Sequence, residues 1–243
     1  MKLNLVSVNM RLLRLVSPFI AIVLLQAFLA GMSLTILSSV RAYVGGESLW
    51  SKGQKDAIHY LYLYGETGEE RLYEQFRDAA AVPFGDRDAR RALELKKPDL
   101  AAARAGFLQG GIHPDDVDGL IWLYHYFRHL PPFRKAIAHW INTDPMLDEL
   151  ADLAQTVRIG NVDGPVSRKQ IEELRSQISE FNTRFAPEAM AFAESLGSGS
   201  RQVKFVLMIA NLFTAGLLGL LLLTMTRYFL AQRRRFVHAL QAE

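Results

Sequence analysis

Charged residues are absent from two long stretches of the chain, Leu15 to Val40 and Phe205 to Thr226. Each stretch reaches the roughly 20 apolar residues a helix needs to cross about 30 Å of hydrocarbon. The pattern predicts transmembrane helices at 15–40 and 205–226. Between them, apolar residues recur at spacings of three and four near 47–64, 68–81, 86–95, 98–108, 114–130, 133–158 and 167–195, the signature of amphipathic helices. No segment alternates with period two between turn signals, so strands are not expected. The expected fold class is all-α: two transmembrane helices flanking an extracytoplasmic helical bundle, with short gaps favouring antiparallel neighbours.

Glycine and proline mark the expected breaks: Gly45-Gly46, Gly65-Glu66-Thr67-Gly68, Pro83-Phe84-Gly85, Lys97-Pro98, Gly110-Gly111, Pro131-Pro132 and Gly160 to Pro165. The last outer helix should start at Ser167 as N-cap and present Ile171, Leu174, Ile178, Phe181 and Phe185 on one face. Pro187 is expected to interrupt it. Gly197-Ser198-Gly199-Ser200 is expected to be a flexible joint before the second span, giving a soft coupling rather than a rigid rod.

The first apolar run has a basic lead in Lys2, Arg11 and Arg14. It is nevertheless longer than the apolar part of a signal peptide, and Phe28 stands where a cleavage site wants a small residue. An uncleaved anchor is the better reading. Arg11 and Arg14 before the first span, and Arg227, Arg233, Arg234 and Arg235 after the second, place both termini in the cytoplasm. Arg41 and Lys204 on the other side oppose this only singly. The expected division is a cytoplasmic N-terminus at 1–14, a span at 15–40, an extracytoplasmic domain at 41–204, a span at 205–226 and a cytoplasmic linker helix at 227–243.

Composition then narrows the partners. Half of the residues are apolar and the formal net charge is +3, but the basic excess lies at the cytoplasmic ends, where arginines meet anionic lipid headgroups. The outer domain has more acidic than basic residues, which argues against nucleic acid. With no cysteine it has neither disulfides nor thiol chemistry.

The densest chemistry lies in GFLQGGIHPDDVDGLIWLYHYFRH, residues 106–129. Pro114 suits the first position of a helix, and Asp115, Asp116 and Asp118 suit the positive end of its dipole. Leu120, Leu123, Tyr124, Phe127 and Leu130 form an apolar stripe, with Trp122, Tyr126 and His129 as an aromatic one beside it. Together they predict a helix buried on both sides. His113 with the aspartates, or His125 with His129, could be read as metal ligands. Arg128 lies between the second pair, however, and two ligands fall short of the three or four a site needs. Structural histidines and helix-entry aspartates are the better reading, with no metal, cofactor or catalytic residue expected. No phosphate loop, nucleophile elbow or paired His and carboxylate motif is present. If the outer domain binds a small ligand, the candidates are Trp50, Lys52 and Lys55, where two lysines on one face could hold an anion against an indole wall, and His113, Asp116 and Trp122. A solvated face and core aromatics are the plainer alternative.

Three segments carry a resemblance. They are Arg41-Ala42-Tyr43-Val44-Gly45-Gly46 with Ser48-Leu49-Trp50-Ser51-Lys52-Gly53-Gln54-Lys55, then Gly85-Asp86-Arg87-Asp88-Ala89-Arg90, and Ala101 to Gly110 running on through His113-Pro114-Asp115-Asp116. Residues 41–140 resemble the N-terminal sensor region found ahead of histidine kinases and PAS-linked diguanylate cyclases in proteobacteria. The resemblance implies a bacterial inner-membrane receptor, with a periplasmic domain relaying a stimulus through the second span to a cytoplasmic output. It also implies a homodimer. Ala27 and Gly31, Ala215 and Gly219, and the polar Gln26 and Asn211 would suit close helix association. No phosphoacceptor-His helix, ATP-binding domain or cyclase signature follows Arg235. RYFLAQRRRFVHALQAE is therefore expected to be a linker helix leading to an output outside this sequence, or else the chain is a stand-alone sensor. A scaffolding protein whose bundle docks a partner is the alternative.

Overall fold

The structure is a computed structural model that describes the backbone of residues 5–162 and 168–241. α-Helix is the regular secondary structure of the described residues. In chain order the helices are α1 (Leu5–Thr67), α2 (Glu70–Glu94), α3 (Leu100–Gln109), α4 (Pro114–Phe127), α5 (Pro131–Asn142), α6 (Asp144–Val162) and α7 (Arg168–Gln241). Lys2, the expected N-cap Ser167 and the expected Asp163-Gly164-Pro165 turn lie outside the described residues.

The expected boundaries hold where the backbone needs a special conformation. Gly68 and Gly111 have φ of 70° and 80°, left-handed values that glycine adopts without a Cβ penalty. They end α1 and the α3 turn. His113 caps α4, its Nδ1 accepting from the Asp115 amide at 3.3 Å, and Pro114 follows as the first helical residue. Asp99 caps α3 by accepting from the Ala102 amide at 2.9 Å.

Elsewhere packing overrides local signals, and four expected breaks are absent. Gly45-Gly46 lies inside α1, and a Cβ on Gly46 would come within 2.8 Å of Ile112 Cδ1. Pro83 lies inside α2. Its missing amide frees the Ala79 carbonyl, against which Gly53 of α1 packs so closely that a Cβ there would lie 2.8 Å from that oxygen. Pro187 does not interrupt α7. It is exposed, so the unmatched carbonyl one turn earlier is on a face water can reach, and the apolar stripe of Ile178, Phe181 and Phe185 runs on through Ala189, Phe192 and Leu196. Nor is Gly197 to Ser200 a joint: it is helical, with Leu196 and Gly199 buried. The soft coupling inferred from those four residues loses its basis. Conversely, the expected helix 133–158 divides at Thr143, whose hydroxyl donates to the Trp140 carbonyl at 2.6 Å ahead of Asp144-Pro145.

The chain forms two compact units. One comprises residues up to Thr35 and from Val203, the other Ile36–Gln202. The first unit contains the apolar parts of α1 and α7, each long and apolar enough to cross a membrane. Here Asn211 Nδ2 donates to Ser33 Oγ at 2.7 Å, joining the two helices. Ala27, Gly31 and Ala215 are exposed, and nothing approaches a Cβ built on Gly31 or Gly219 within 4 Å. These small residues therefore do not set the packing of the two helices within one chain.

In the second unit the first apolar stretch ends early: Ile36, Ser39 and Val40 are buried in the bundle. Its core is aromatic. Trp50 meets Phe185 and Phe192 edge-on at 5.8 and 5.7 Å, and Trp140 stacks on Phe192 at 5.7 Å. α2 and α3 cross at Gly85 and Gly106, where a Cβ on either would lie within 2.6 Å of the other's carbonyl oxygen. α4 is buried on one side only. Leu120, Leu123 and Tyr124 face inward, while Tyr126, His125, His129 and Leu130 are exposed and Trp122 is half-buried. The expected aromatic stripe is an outer face.

Candidate functional site

The six side chains singled out for ligand binding occupy separate places. Trp50 is 1% exposed and points into the core, so it does not wall the lysines. Lys52 and Lys55 are exposed along a groove between α1 and α7, shared with Glu47, Asp56 and Asn182. His113 is the exposed cap of α4. Asp116 is half-buried in the first turn, its amide bonded to the His113 carbonyl. Trp122 packs on Tyr126 and Phe127 along the outer face of α4. Asp118 pairs with Arg104 rather than only facing the helix end. His129 Nε2 accepts from Arg128 Nε at 3.1 Å.

A more concentrated arrangement lies inside the bundle, on the inward side of α2. Arg90, 2% exposed, donates through Nη2 to both carboxylate oxygens of Asp144 at 2.7 and 2.6 Å, and through Nη1 to Glu94 at 2.8 Å. Its guanidinium lies 5.4 Å from the centre of the Trp140 ring. Burial by itself would lower the Arg90 pKa, but the Asp144 and Glu94 carboxylates outweigh it and keep the group charged. Tyr124 extends the network by donating to Glu94 Oε1 at 2.7 Å, and burial first, then that bond, raises its pKa. Both bonds to Asp144 are charge-assisted and come from one nitrogen, and Glu94 takes the other terminal nitrogen.

One helical turn earlier, Asp86 is 4% exposed and its Oδ1 has no hydrogen-bond partner. Burial pushes its pKa well above the usual carboxylate range. Gly110 makes room for it, since a Cβ there would sit 2.1 Å from Oδ1. Asp86 lines a small cavity together with Tyr43, Glu47, Trp50, Trp140 and Phe192. Tyr43 Oη, Trp50 Nε1 and Trp140 Nε1 are also buried without partners. Native interiors leave few such atoms, and here four belong to residues around one cavity.

Each of the three segments that carry the resemblance contributes to this place. Tyr43, Gly46 and Trp50 come from the first, Asp86 from the second, and Phe107 with Ile112 from the third. Sequence reading missed Asp86 as a site residue because one aspartate among Asp78, Asp86 and Asp88 has no distinguishing spacing. The available signal was its company: an acid between Gly85 and the buried face of a helix that also carries Arg90. No protein-family model matches the chain, and no curated protein or solved structure is significantly similar to it.

Proposed function

We propose that the chain is the membrane-anchored sensory input module of a bacterial signal-transduction receptor, taking up a stimulus outside the inner membrane and relaying it to a cytoplasmic output, as a homodimer. The observation that carries this reading is the shared use of two helices. α1 supplies Tyr43 and Trp50, and α7 supplies Phe192, to the cavity beside Asp86, and the same two helices contain the apolar stretches long enough to span a bilayer. An occupant of the cavity would therefore bias the arrangement of helices that also pass through the membrane, which is the requirement for relay by population shift.

The chain contains no cysteine, which gives a direct test of orientation. A single cysteine at Ser48 should react with a membrane-impermeant maleimide on intact cells, and one at Gln232 only after lysis. The reverse pattern sinks the topology. For relay, the full chain fused after Glu243 to a cyclase reporter should change output with at least one compound from a metabolite library. A flat response, with no compound shifting the melting temperature of the full chain in nanodiscs, overturns the sensory reading.

One observation favours scaffolding as a second reading. Tyr126 and Leu100 are 63 and 58% exposed and line a groove with half-buried Trp122. A stoichiometric protein partner lost in Tyr126→Ser, without any small-molecule response, would favour it.

A further inference from the structure

The cavity beside Asp86 has a composition that selects its occupant by charge and size. Asp86 is deeply buried with an unpartnered oxygen, and Glu47, whose Oε1 accepts from Ser51 Oγ at 2.6 Å, is the half-buried member of the lining. The lining contains two carboxyl groups and no lysine or arginine. Arg90 lies close by, but its charge is already engaged by Asp144 and Glu94. The rings of Tyr43, Trp50, Trp140 and Phe192 supply the walls. Aromatic faces carry negative potential and attract cations, more strongly where water is excluded; Trp140 already stacks on Phe192 and meets the Arg90 guanidinium, which leaves this role to Tyr43 and Trp50. The open space is about 20 Å³ for a water-sized occupant, which holds one compact polar group. A water there would give the indole and phenol donors an acceptor, whereas only a cation would favour the ionised form of Asp86 that burial disfavours.

We propose that this cavity is a binding site for a compact ammonium group, either the ammonium ion or the head of a small primary amine, with Asp86 as its buried counter-ion. The group donates to the Asp86 carboxylate and lies against the aromatic walls. The Tyr43 hydroxyl can accept a further proton donor. A substituent would leave on the side of Glu47. The proposal deepens the sensory reading by assigning the ligand class of the same site, and it rests on that reading only for the meaning of the binding event.

The test uses the full chain in nanodiscs, titrated with ammonium chloride, methylammonium chloride, tetramethylammonium chloride and sodium chloride at matched ionic strength. Tryptophan fluorescence and melting temperature are the readouts. Ammonium or methylammonium should give a saturable fluorescence change and a rise in melting temperature. Sodium and tetramethylammonium should not, the latter because it cannot donate a hydrogen bond or fit. A response to ammonium alone identifies the free ion, and a tighter response to methylammonium identifies an amine head.

Asp86→Asn, which keeps the shape and removes the charge, should weaken binding at least about tenfold, the value of one hydrogen bond to a charged group. Unchanged affinity in Asp86→Asn, or a response matched by sodium, overturns the proposal and leaves water as the occupant. Should Asp86→Asn fail to fold, a several-fold loss is expected in Glu47→Gln, and its absence is equally fatal. Saturable ammonium binding with a silent cyclase fusion would remove the sensory reading and leave the site standing. A fusion that answers another compound, with no ammonium binding, would do the opposite.

Discussion

In the unit formed by residues up to Thr35 and from Val203, Phe28 and Phe213 are 65 and 68% exposed, while the polar Asn211 and Ser33 bond to each other across the two helices. In the unit Ile36–Gln202 the arrangement is reversed. Phe181 and Phe185 are 2 and 0% exposed, and between them in sequence Arg184 reaches out to pair with Glu149. Both patterns occur along the same helix, α7, so backbone conformation does not distinguish them. A bilayer around the first unit, as proposed above, would account for the difference: a polar side chain in hydrocarbon seeks a partner because lipid offers none, whereas water satisfies Arg184 and expels phenylalanine. Among the described residues, the second unit also holds what the first does not, an ionic network and an unpaired acid deep in an aromatic core.

Substitutions can break this contrast, starting with the buried ions. Asp144→Ala removes one of the two carboxylate partners of Arg90 and should lower the stability of the second unit by about 3–5 kcal/mol, the usual cost of stranding a buried charge. Chemical or thermal denaturation of the full chain in nanodiscs would show it, and a loss below 1 kcal/mol would mean that Glu94 alone suffices. Next comes the helix crossing. Gly106→Ala puts a methyl 2.5 Å from the Gly85 carbonyl oxygen, so α2 and α3 must part, at about 1–3 kcal/mol by the same measurement.

In the first unit Asn211→Leu gives up one interhelical bond, for about 0.6–2 kcal/mol. A loss as large as that of Asp144→Ala would show that the two units do not differ as described.

The smallest expected effect is a slope. Burial raises the Asp86 pKa in the folded chain. As pH climbs from the ordinary carboxylate range towards that raised value, the unfolded chain gives up its proton first and the folded state keeps it. Without ligand, stability therefore falls over that window, and below it the contribution is level. Asp86→Asn should remove the fall and melt higher than the natural chain at the upper end. A variant with the same pH profile as the natural chain would show that Asp86 is not the titrating group.

Much of the helical architecture is legible because it depends on neighbours in sequence. His113-Pro114 opens α4, the glycines at 68 and 111 close their turns, and the face through Ile178, Phe181 and Phe185 is the buried one. Errors arose where a local breaker met a distant surface. Gly45-Gly46, Pro83, Pro187 and Gly197 to Ser200 all read as interruptions, yet each lies within a helix supported by packing or by exposure of the unmatched carbonyl to water. The aromatic stripe of α4 lies outward for a related reason: aromatic residues mark a helix face, but only its neighbours decide whether that face is covered.

The helical class, the two apolar stretches, the missing cysteines and the opening of α4 at His113-Pro114 follow from the sequence alone, because composition and short-range spacing act within a turn or two of the chain. Only the tertiary structure decided where Asp86, Trp50, Trp140 and Phe192 meet. They come from α2, α1, α5 and α7, and no periodicity links positions so far apart. What brings them together is the close approach of helices at Gly46, Gly53, Gly85, Gly106 and Gly110. Missing side chains there let backbones and one buried carboxyl into space that a single methyl would fill.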